Sequence, residues 1–293
     1  MATILSMGQL IDRTWEHYRA RFHELMNVSG WLILLALLDL VALFFYPKSS
    51  LLEAGVALSG TQTFGITLFA IVNIVIAPLF GLWLFVAITR LVRSQIENKR
   101  ADTHEAMRDG LRWYLPALLV NVLIVLMLVL AAAIGFVPAF LFGWLAAVIG
   151  NQAVVILSAL LLIACGVAAV VFAIRWSVYY ALAPMALLLD GIRGRAALTA
   201  CRQLVESRFW HTLLLLLIPK LLFLIMSFIV LLIVSFAVQA TLALMAGINI
   251  DTYVRLLSMS DAVFPVILAV LINPLFVISD SLLYRNLKEI AQA

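Results

Sequence analysis

The sequence predicts an all-α integral membrane protein: about six transmembrane helices in three pseudo-repeats, each preceded by a cytoplasmic-side amphipathic interfacial helix. Of the 293 residues, 66% are hydrophobic and 12% are charged, whereas soluble domains average about 45–50% apolar and about 25% charged residues. Several apolar runs exceed the roughly 20 residues that a helix needs to cross a bilayer. These runs lack the alternation of apolar and polar residues that marks membrane β-barrel strands. Lipid is therefore the expected solvent for most of the chain.

Six spans are predicted, at about 28–46, 65–89, 115–137, 153–175, 211–234 and 262–284. Three apolar runs, 113–149, 153–189 and 209–250, are longer than one crossing requires. Each of these runs is expected to hold a span and an additional interfacial or re-entrant piece, so between five and seven crossings are possible. Residues 1–293 are expected to form a single membrane domain.

Positive charge is distributed unequally between the two sides of the predicted spans, which sets orientation under the positive-inside rule. Of 19 Lys and Arg residues, fifteen fall on one side: Arg13, Arg19, Arg21, Arg90, Arg93, Lys99, Arg100, Arg108, Arg112, Arg193, Arg195, Arg202, Arg208, Arg285 and Lys288. Lys48 and Arg255 fall in the opposite loops, and Arg175 and Lys220 lie at or inside the membrane. The bias predicts a multi-pass protein with both termini in the cytoplasm.

The three pseudo-repeats are predicted at about 1–92, 93–190 and 191–293. Their returning spans end in VAITR, VFAIR and SLLYR, whose last residues are Arg90, Arg175 and Arg285. The stretch IAPLF at 76–80 also matches INPLF at 272–276, so Pro78 and Pro274 are expected to kink equivalent helices.

Arg175 is expected to mark the cytoplasmic interface, where its long stem can snorkel and its guanidinium can reach headgroups. Residues 181–189 would then run along that interface before Asp190. The alternative is a tilted helix that continues to residue 189 and buries Arg175 against a partner.

Three charged segments have the periodicity of amphipathic helices. Their predicted apolar faces are Ile4, Ile11, Trp15, Tyr18, Phe22 and Leu25 in the first, Met107, Leu111 and Tyr114 in the second, and Leu198, Cys201, Val205 and Phe209 in the third. Ser6 with Gln9, and Asp102 with Glu105, have the spacing of capping boxes. We expect these helices to lie in the inner headgroup layer and to contact membrane lipids with anionic headgroups. The alternative is a soluble cytoplasmic hairpin.

The candidate binding residues are the polar side chains inside or beside the spans: Asp39, Asn73, Asn121, Arg175, Lys220, Asn273 and Asp280. Ionisable groups in lipid are costly, so such residues mark either a structural pair or a route for a substrate or ion. Asp39 and Lys220 lie nine and ten residues into their spans, about 14–15 Å deep at 1.5 Å per residue. Opposite charges at equal depth predict an ion pair between spans 1 and 5. The alternative is a snorkelling Lys220 and a protonated Asp39.

Signatures of catalysis are not found in the sequence. It has no Walker loop, HExxH, GxSxG or Cys/His pairs at metal-ligand spacing. We therefore expect no enzyme activity, no metal and no cofactor. Nucleic-acid binding is not expected either, because the basic clusters adjoin membrane ends and are mixed with acids.

Residues 175–218, RWSVYYALAPMALLLDGIRGRAALTACRQLVESRFWHTLLLLLI, resemble the membrane domain found with some glycerophosphoryl diester phosphodiesterases. They are also similar to the YciC-like and DUF975-like bacterial membrane proteins. The ending DSLLYRNLKEI at 280–290 resembles the closing segment of that group, and LSMGQLIDRTWEHYRARFHELMNVS at the N-terminus fits it. The resemblance implies a bacterial cytoplasmic (inner) membrane protein without catalytic residues of its own, since the enzyme of that group is a separate soluble domain. A protein partner that supplies an activity is possible.

These features favour a protein that handles or transports a lipid or small amphiphile. The alternative is an accessory or scaffold protein that organises partners or senses the bilayer. An intramembrane enzyme is a third possibility, and fold alone does not choose among them. A continuous polar cavity joining Asp39, Lys220 and Asp280 would favour transport.

Overall fold

The computed structural model describes residues 5–47, 57–97, 102–244 and 250–292, which are helical and contain no strand. Six helical segments are long and apolar enough to cross a membrane: Phe22–Phe45, Gly60–Ile96, Tyr114–Ile149, Gln152–Asp190, Phe209–Leu242 and Thr252–Gln292. The predicted all-α fold with six spans is confirmed, and the chain has the architecture of a multi-pass membrane protein. Ile4, Lys48, Lys99 and Arg100, used in the sequence analysis, lie outside the described residues.

The helices in chain order are α1 (Met7–Ala20), α2 (Phe22–Ser29), α3 (Ile33–Phe45), α4 (Gly60–Ile71), α5 (Ala77–Ile96), α6 (Thr103–Arg112), α7 (Tyr114–Ile149), α8 (Gln152–Tyr180), α9 (Ala183–Asp190), α10 (Arg195–Glu206), α11 (Phe209–Leu244) and α12 (Ile250–Gln292). A 3-10 turn, Gly30–Leu32, joins α2 to α3, and a π-helical segment, Val72–Ile76, joins α4 to α5. Pro78 has no N–H to donate, so the regular hydrogen-bond ladder is interrupted next to the π-helical segment.

The chain divides into two compact units. The first comprises Thr3–Tyr114 and Leu215–Asn286, and the second contains Leu115–Leu214 and the C-terminal residues from Leu287. Within the first unit, α3 packs on α4 and α5 packs on α6. The α3–α4 approach is close because Gly65 has no side chain: a Cβ there would lie 2.5 Å from the backbone carbon of Phe45. Within the second unit, α10 packs on α8 and α9.

The two helices in the first and third overlong runs, α7 and α11, correct one prediction. α7 and α11 each run 36 residues without a break, so the expected separate interfacial piece is absent from 114–149 and from 209–244. A continuous helix pairs its backbone N–H and carbonyl groups with each other, whereas lipid offers these groups no hydrogen-bond partner.

The second overlong run, 153–189, divides at residues 181–182. α8 continues five residues beyond Arg175 to Tyr180, and residues 182–189 are buried in the protein along their whole length. The segment therefore packs against the protein, and it does not extend α8 as one unbroken helix to residue 189. Gly191, at φ 77°, ends α9 in the left-handed region that glycine adopts without strain.

The first amphipathic segment buries part of its predicted apolar face, Tyr18 and Leu25, against the protein. Leu10, Thr14 and Tyr18 are buried, whereas Trp15 and Phe22 are 43% and 44% exposed. Burial raises the pKa of Tyr18 above its usual value. The predicted capping box is confirmed, with Ser6 and Gln9 each bonded to the other's backbone N–H.

The faces of α6 and α10 differ in how well periodicity predicted them. In α10, Leu198, Cys201 and Val205 are buried as expected, and burial raises the pKa of the Cys201 thiol to about 12. In α6, Leu111 of the predicted face is 67% exposed, while Ala106 and Gly110 are buried against the protein. Small residues let α6 approach α5 closely, and a Cβ on Gly110 would lie 3.0 Å from the Ala87 Cβ. Asp102 caps α6 through the His104 N–H, without the reciprocal bond from Glu105 that the capping-box spacing predicted.

Candidate functional site: a charged cavity between spanning helices

An ion pair joins α11 to α12 inside the first unit. Lys220 Nζ donates to Asp280 Oδ2 at 2.8 Å. Asp280 is 8% exposed as a residue, and the Lys220 side chain is 33% exposed. Two opposite charges held this close compensate each other in a medium that solvates neither.

The two side chains of the pair lean in defined directions along their own helices. Lys220 follows Arg208 by twelve residues, and Asp280 precedes Arg285 by five, so they lie about 18 Å and about 7.5 Å from these arginines along their helices. Helical side chains lean towards the N-terminus of their own helix. Lys220 therefore leans towards Arg208 along its own helix, and Asp280 leans away from Arg285 along α12.

A cavity of about 340 Å³ adjoins the ion pair. Its charged and amide groups come from Lys220, Asp280 and Asn273, and its remaining lining residues are Leu32, Gly81, Leu84, Phe85, Ile88, Phe276 and Val277. The volume is at the lower end of the range for small-molecule pockets, about 300–1,000 Å³. Apolar walls with a few convergent polar groups are the usual composition of such a site.

Asn273 contributes to the cavity an amide that is unpaired among the described residues, and Gly81 leaves open space beside its backbone. The Asn273 side chain makes no hydrogen bond to any residue in the described ranges, although its amide has two donors and an acceptor. Gly81 lines the cavity from α5, and a Cβ placed on it would meet no atom within 4 Å. The amide is therefore available to a ligand, and the space beside Gly81 is free to hold one.

Asp39 has a different partner from the one predicted. Asn73 Nδ2 donates to Asp39 Oδ1 at 2.9 Å and to the carbonyl oxygen of Phe69 at 3.0 Å. The predicted Asp39–Lys220 ion pair is wrong, because the carboxylate that binds Lys220 belongs to Asp280. Asn73 lies in the π-helical segment, and Asp39 does not line the cavity.

The other two predicted site residues bond within their own helices. Asn121 Nδ2 donates to the carbonyl oxygen of Ala117 at 2.9 Å. Arg175 Nε donates to Tyr179 Oη at 3.0 Å, and the guanidinium lies 5.5 Å from the centre of the Tyr179 ring. The structure thus brings Lys220, Asn273 and Asp280 together, pairs Asp39 with Asn73, and leaves Asn121 and Arg175 bonded locally.

A polar network at one end of the first unit was not anticipated. Gln95, 4% exposed, donates through Nε2 to Glu24 Oε2 at 2.7 Å. Its oxygen therefore accepts from His17 Nε2 at 2.9 Å. These residues join α1, α2 and α5, and the sequence gives no signal for the network because each of them fits a solvated polar face.

A second cavity, of about 270 Å³, lies where α5 meets α6 and is lined by Arg90, Arg93, Ser94, Glu97, Asp102, Glu105, Ala106 and Asp109. Its two arginines each bond to a carboxylate in the same lining, Arg90 to Asp109 and Arg93 to Glu97. These contacts connect α5 internally and to α6, so the cavity's charges serve as structural links.

No three His, Cys, Asp or Glu side chains approach one another closely enough to hold a metal ion within the described part of the chain. No family model, curated protein or solved structure matches this sequence or its fold.

Proposed function

We propose that this membrane protein binds a lipid or small amphiphile in the cavity beside Lys220 and Asp280, and transports it or otherwise handles it. The observation that carries the proposal is the composition of the cavity. An ion pair and an Asn273 amide that has no partner among the described residues lie among apolar side chains of spanning helices. The polar groups suit a headgroup, and the apolar walls suit the carbons next to it.

The proposed setting is a bacterial cytoplasmic membrane, with both termini inside. The charge bias of the sequence supports the orientation. The resemblance to the membrane domain of glycerophosphoryl diester phosphodiesterases and to YciC-like proteins supports the setting, and it remains a prediction. We further propose that the chain has no catalysis of its own, so any chemistry would belong to a separate partner.

A scaffold role is the second candidate, and the exposure of α7 and α8 favours it. In an apolar stretch of 18 residues within each span, 11% of residues are buried in Tyr114–Ile149 and 0% in Gln152–Asp190. Such surfaces face lipid in the membrane and could also receive the helices of a partner.

Photo-crosslinking tests the binding proposal. The protein in nanodiscs would be irradiated with a monoacylglycerol analogue that has a diazirine on an early chain carbon, and the labelled peptides would be identified by mass spectrometry. We expect labelling on α5 and α12 around Gly81 and Phe276. Gly81→Phe should abolish it, because the new ring fills space that is open beside the glycine.

Gly143→Phe is the matched control. It makes the same change inside α7, where a Cβ also meets nothing within 4 Å, and it should leave labelling of α5 and α12 unchanged. Labelling that is indifferent to Gly81→Phe would overturn the proposal and leave the scaffold role as the better candidate.

A further inference from the structure

We infer that the cavity selects an amphiphile with a small, net-neutral headgroup that has hydroxyl or amide groups, and that the Lys220–Asp280 pair sets this selectivity. The inference rests on the proposed function, since it specifies the ligand class of the same cavity.

Charge balance is the first argument. The lining contributes one cation and one anion, and these already bind each other at 2.8 Å. A charged headgroup entering the cavity would lose water without gaining a free counter-charge, or would have to break the existing pair. Breaking a pair in a water-poor site leaves one of its members uncompensated, so both anionic and cationic headgroups are disfavoured.

Unused hydrogen-bonding capacity is the second argument. A lysine ammonium has three donors and a carboxylate has two acceptor oxygens, whereas one Nζ···Oδ2 contact joins this pair. Asn273 adds two amide donors and one carbonyl acceptor, all without a partner among the described residues. Donors and acceptors so close together match a hydroxyl or amide group, which both donates and accepts.

Size is the third argument. A cavity of about 340 Å³ equals about eleven water molecules at roughly 30 Å³ each. That space holds a glycerol-sized headgroup and a few carbons, with the rest of the chain outside the cavity. A complete two-chain lipid does not fit.

Competition among headgroups of fixed charge tests the inference. Three probes with the same twelve-carbon chain would compete with the photoreactive analogue for wild-type protein: monolaurin, dodecylsulfonate and dodecyltrimethylammonium. We expect monolaurin to compete at a concentration at least about tenfold lower than either ion, a difference of about 1.4 kcal/mol. Equal or better competition by an ion would overturn the inference.

Variants that change the charge of the cavity should change which headgroup competes best. Asp280→Asn leaves Lys220 without its carboxylate, so dodecylsulfonate should become the best competitor. Asp280→Asn with Lys220→Met restores neutrality, and monolaurin should again compete best, though more weakly because donors are lost. Asp39→Asn is the matched control: it removes a membrane carboxylate that does not line the cavity, and the wild-type order should persist.

The two proposals fail in different ways. If Gly81→Phe leaves the labelling intact, the cavity is not the binding site. If labelling is lost in Gly81→Phe but dodecylsulfonate competes best in wild-type protein, the cavity binds an amphiphile and the selectivity inference is wrong. The wild-type competition decides the inference even if Asp280→Asn fails to fold.

Discussion

Arg90 binds Asp109 through two donors, since Nε and Nη2 both contact Asp109 Oδ2, at 3.0 and 2.7 Å. The same guanidinium lies 5.1 Å from the centre of the Trp113 ring. This contact holds α6 against α5 at the arginine where the first predicted repeat unit ends its returning span. Arg175, which ends the returning span of the second predicted repeat unit, bonds instead to Tyr179 on its own helix.

Arg90→Lys should loosen α6. A lysine retains the charge, but its single ammonium cannot reproduce the planar fork that bonds twice and stacks on Trp113. We expect amide hydrogen exchange in residues 103–112 to rise about tenfold, equivalent to about 1.4 kcal/mol. Arg202→Lys is the control, because Arg202 and Glu206 form an exposed pair within α10. Unchanged exchange in α6 would show that the Arg90 contact does not hold the helix.

A double-mutant cycle measures the Lys220–Asp280 pair. Lys220→Met and Asp280→Asn should each lower the free energy of unfolding in detergent, by up to about 3–5 kcal/mol, because each leaves one charge uncompensated. The double variant should recover much of the loss. The Arg202–Glu206 pair, with both side chains 54% exposed, provides a reference cycle with a coupling of about 0.3–0.5 kcal/mol. Additive losses at Lys220 and Asp280 would contradict the pairing.

Gly65→Ala should destabilise the α3–α4 packing. The new Cβ would lie 2.5 Å from the backbone carbon of Phe45 and 2.7 Å from its oxygen, so one helix must move. Overpacking of this kind costs about 1–3 kcal/mol. Gly143→Ala, where nothing lies within 4 Å, should be neutral or stabilising, because alanine favours helix more than glycine does. Thermal unfolding of the two variants tests this prediction. Similar melting temperatures would contradict the close approach of α3 and α4 at Gly65.

Cysteine labelling in intact cells tests the orientation. In a background with Cys165→Ala and Cys201→Ala, Arg195→Cys should resist an impermeant maleimide added outside, because the charge bias places 190–208 in the cytoplasm. Ala57→Cys, before the start of α4, should react. Reaction at position 195 from outside would reverse the predicted topology.

Nitroxide labels on α1 test its contact with the bilayer. Trp15→Cys should report lipid immersion and Glu16→Cys should report water, since an interfacial helix places its apolar side chains at the acyl boundary. The exposure of Trp15 and Phe22 makes these rings available to lipid. Equal access of a water-soluble relaxation agent to both positions would indicate a helix free of the membrane.

Hydropathy predicted the spans well and their ends poorly. The span predicted from residue 65 belongs to a helix that starts at Gly60, where Ser59 and Gln62 form a capping box. The same spacing was recognised at Ser6 and Gln9, so this start was predictable. The unbroken length of α7 was harder to foresee, because a long apolar run fits one helix or two.

The contacts between helices were the least predictable part. The depth of a residue in its span can be estimated from residue number, and this estimate put Asp39 and Lys220 at the same level. Depth does not say which helices are neighbours, and the carboxylate that binds Lys220 comes from Asp280 on α12. The buried face of α6 was missed for a related reason: Ala106 and Gly110 make their contact by being small, and a search for large apolar side chains does not detect them.

The length of α7 has a consequence for the bilayer itself. Its 36 residues contain no charge from Tyr114 to Ile149 and measure about 54 Å along the axis. Even at a tilt of about 40°, the upper end of the usual range, the helix covers about 41 Å of depth, against a hydrocarbon core of roughly 30 Å. This hydrophobic mismatch favours a locally thickened membrane around α7, so the protein should partition into thicker bilayers and bend thinner ones.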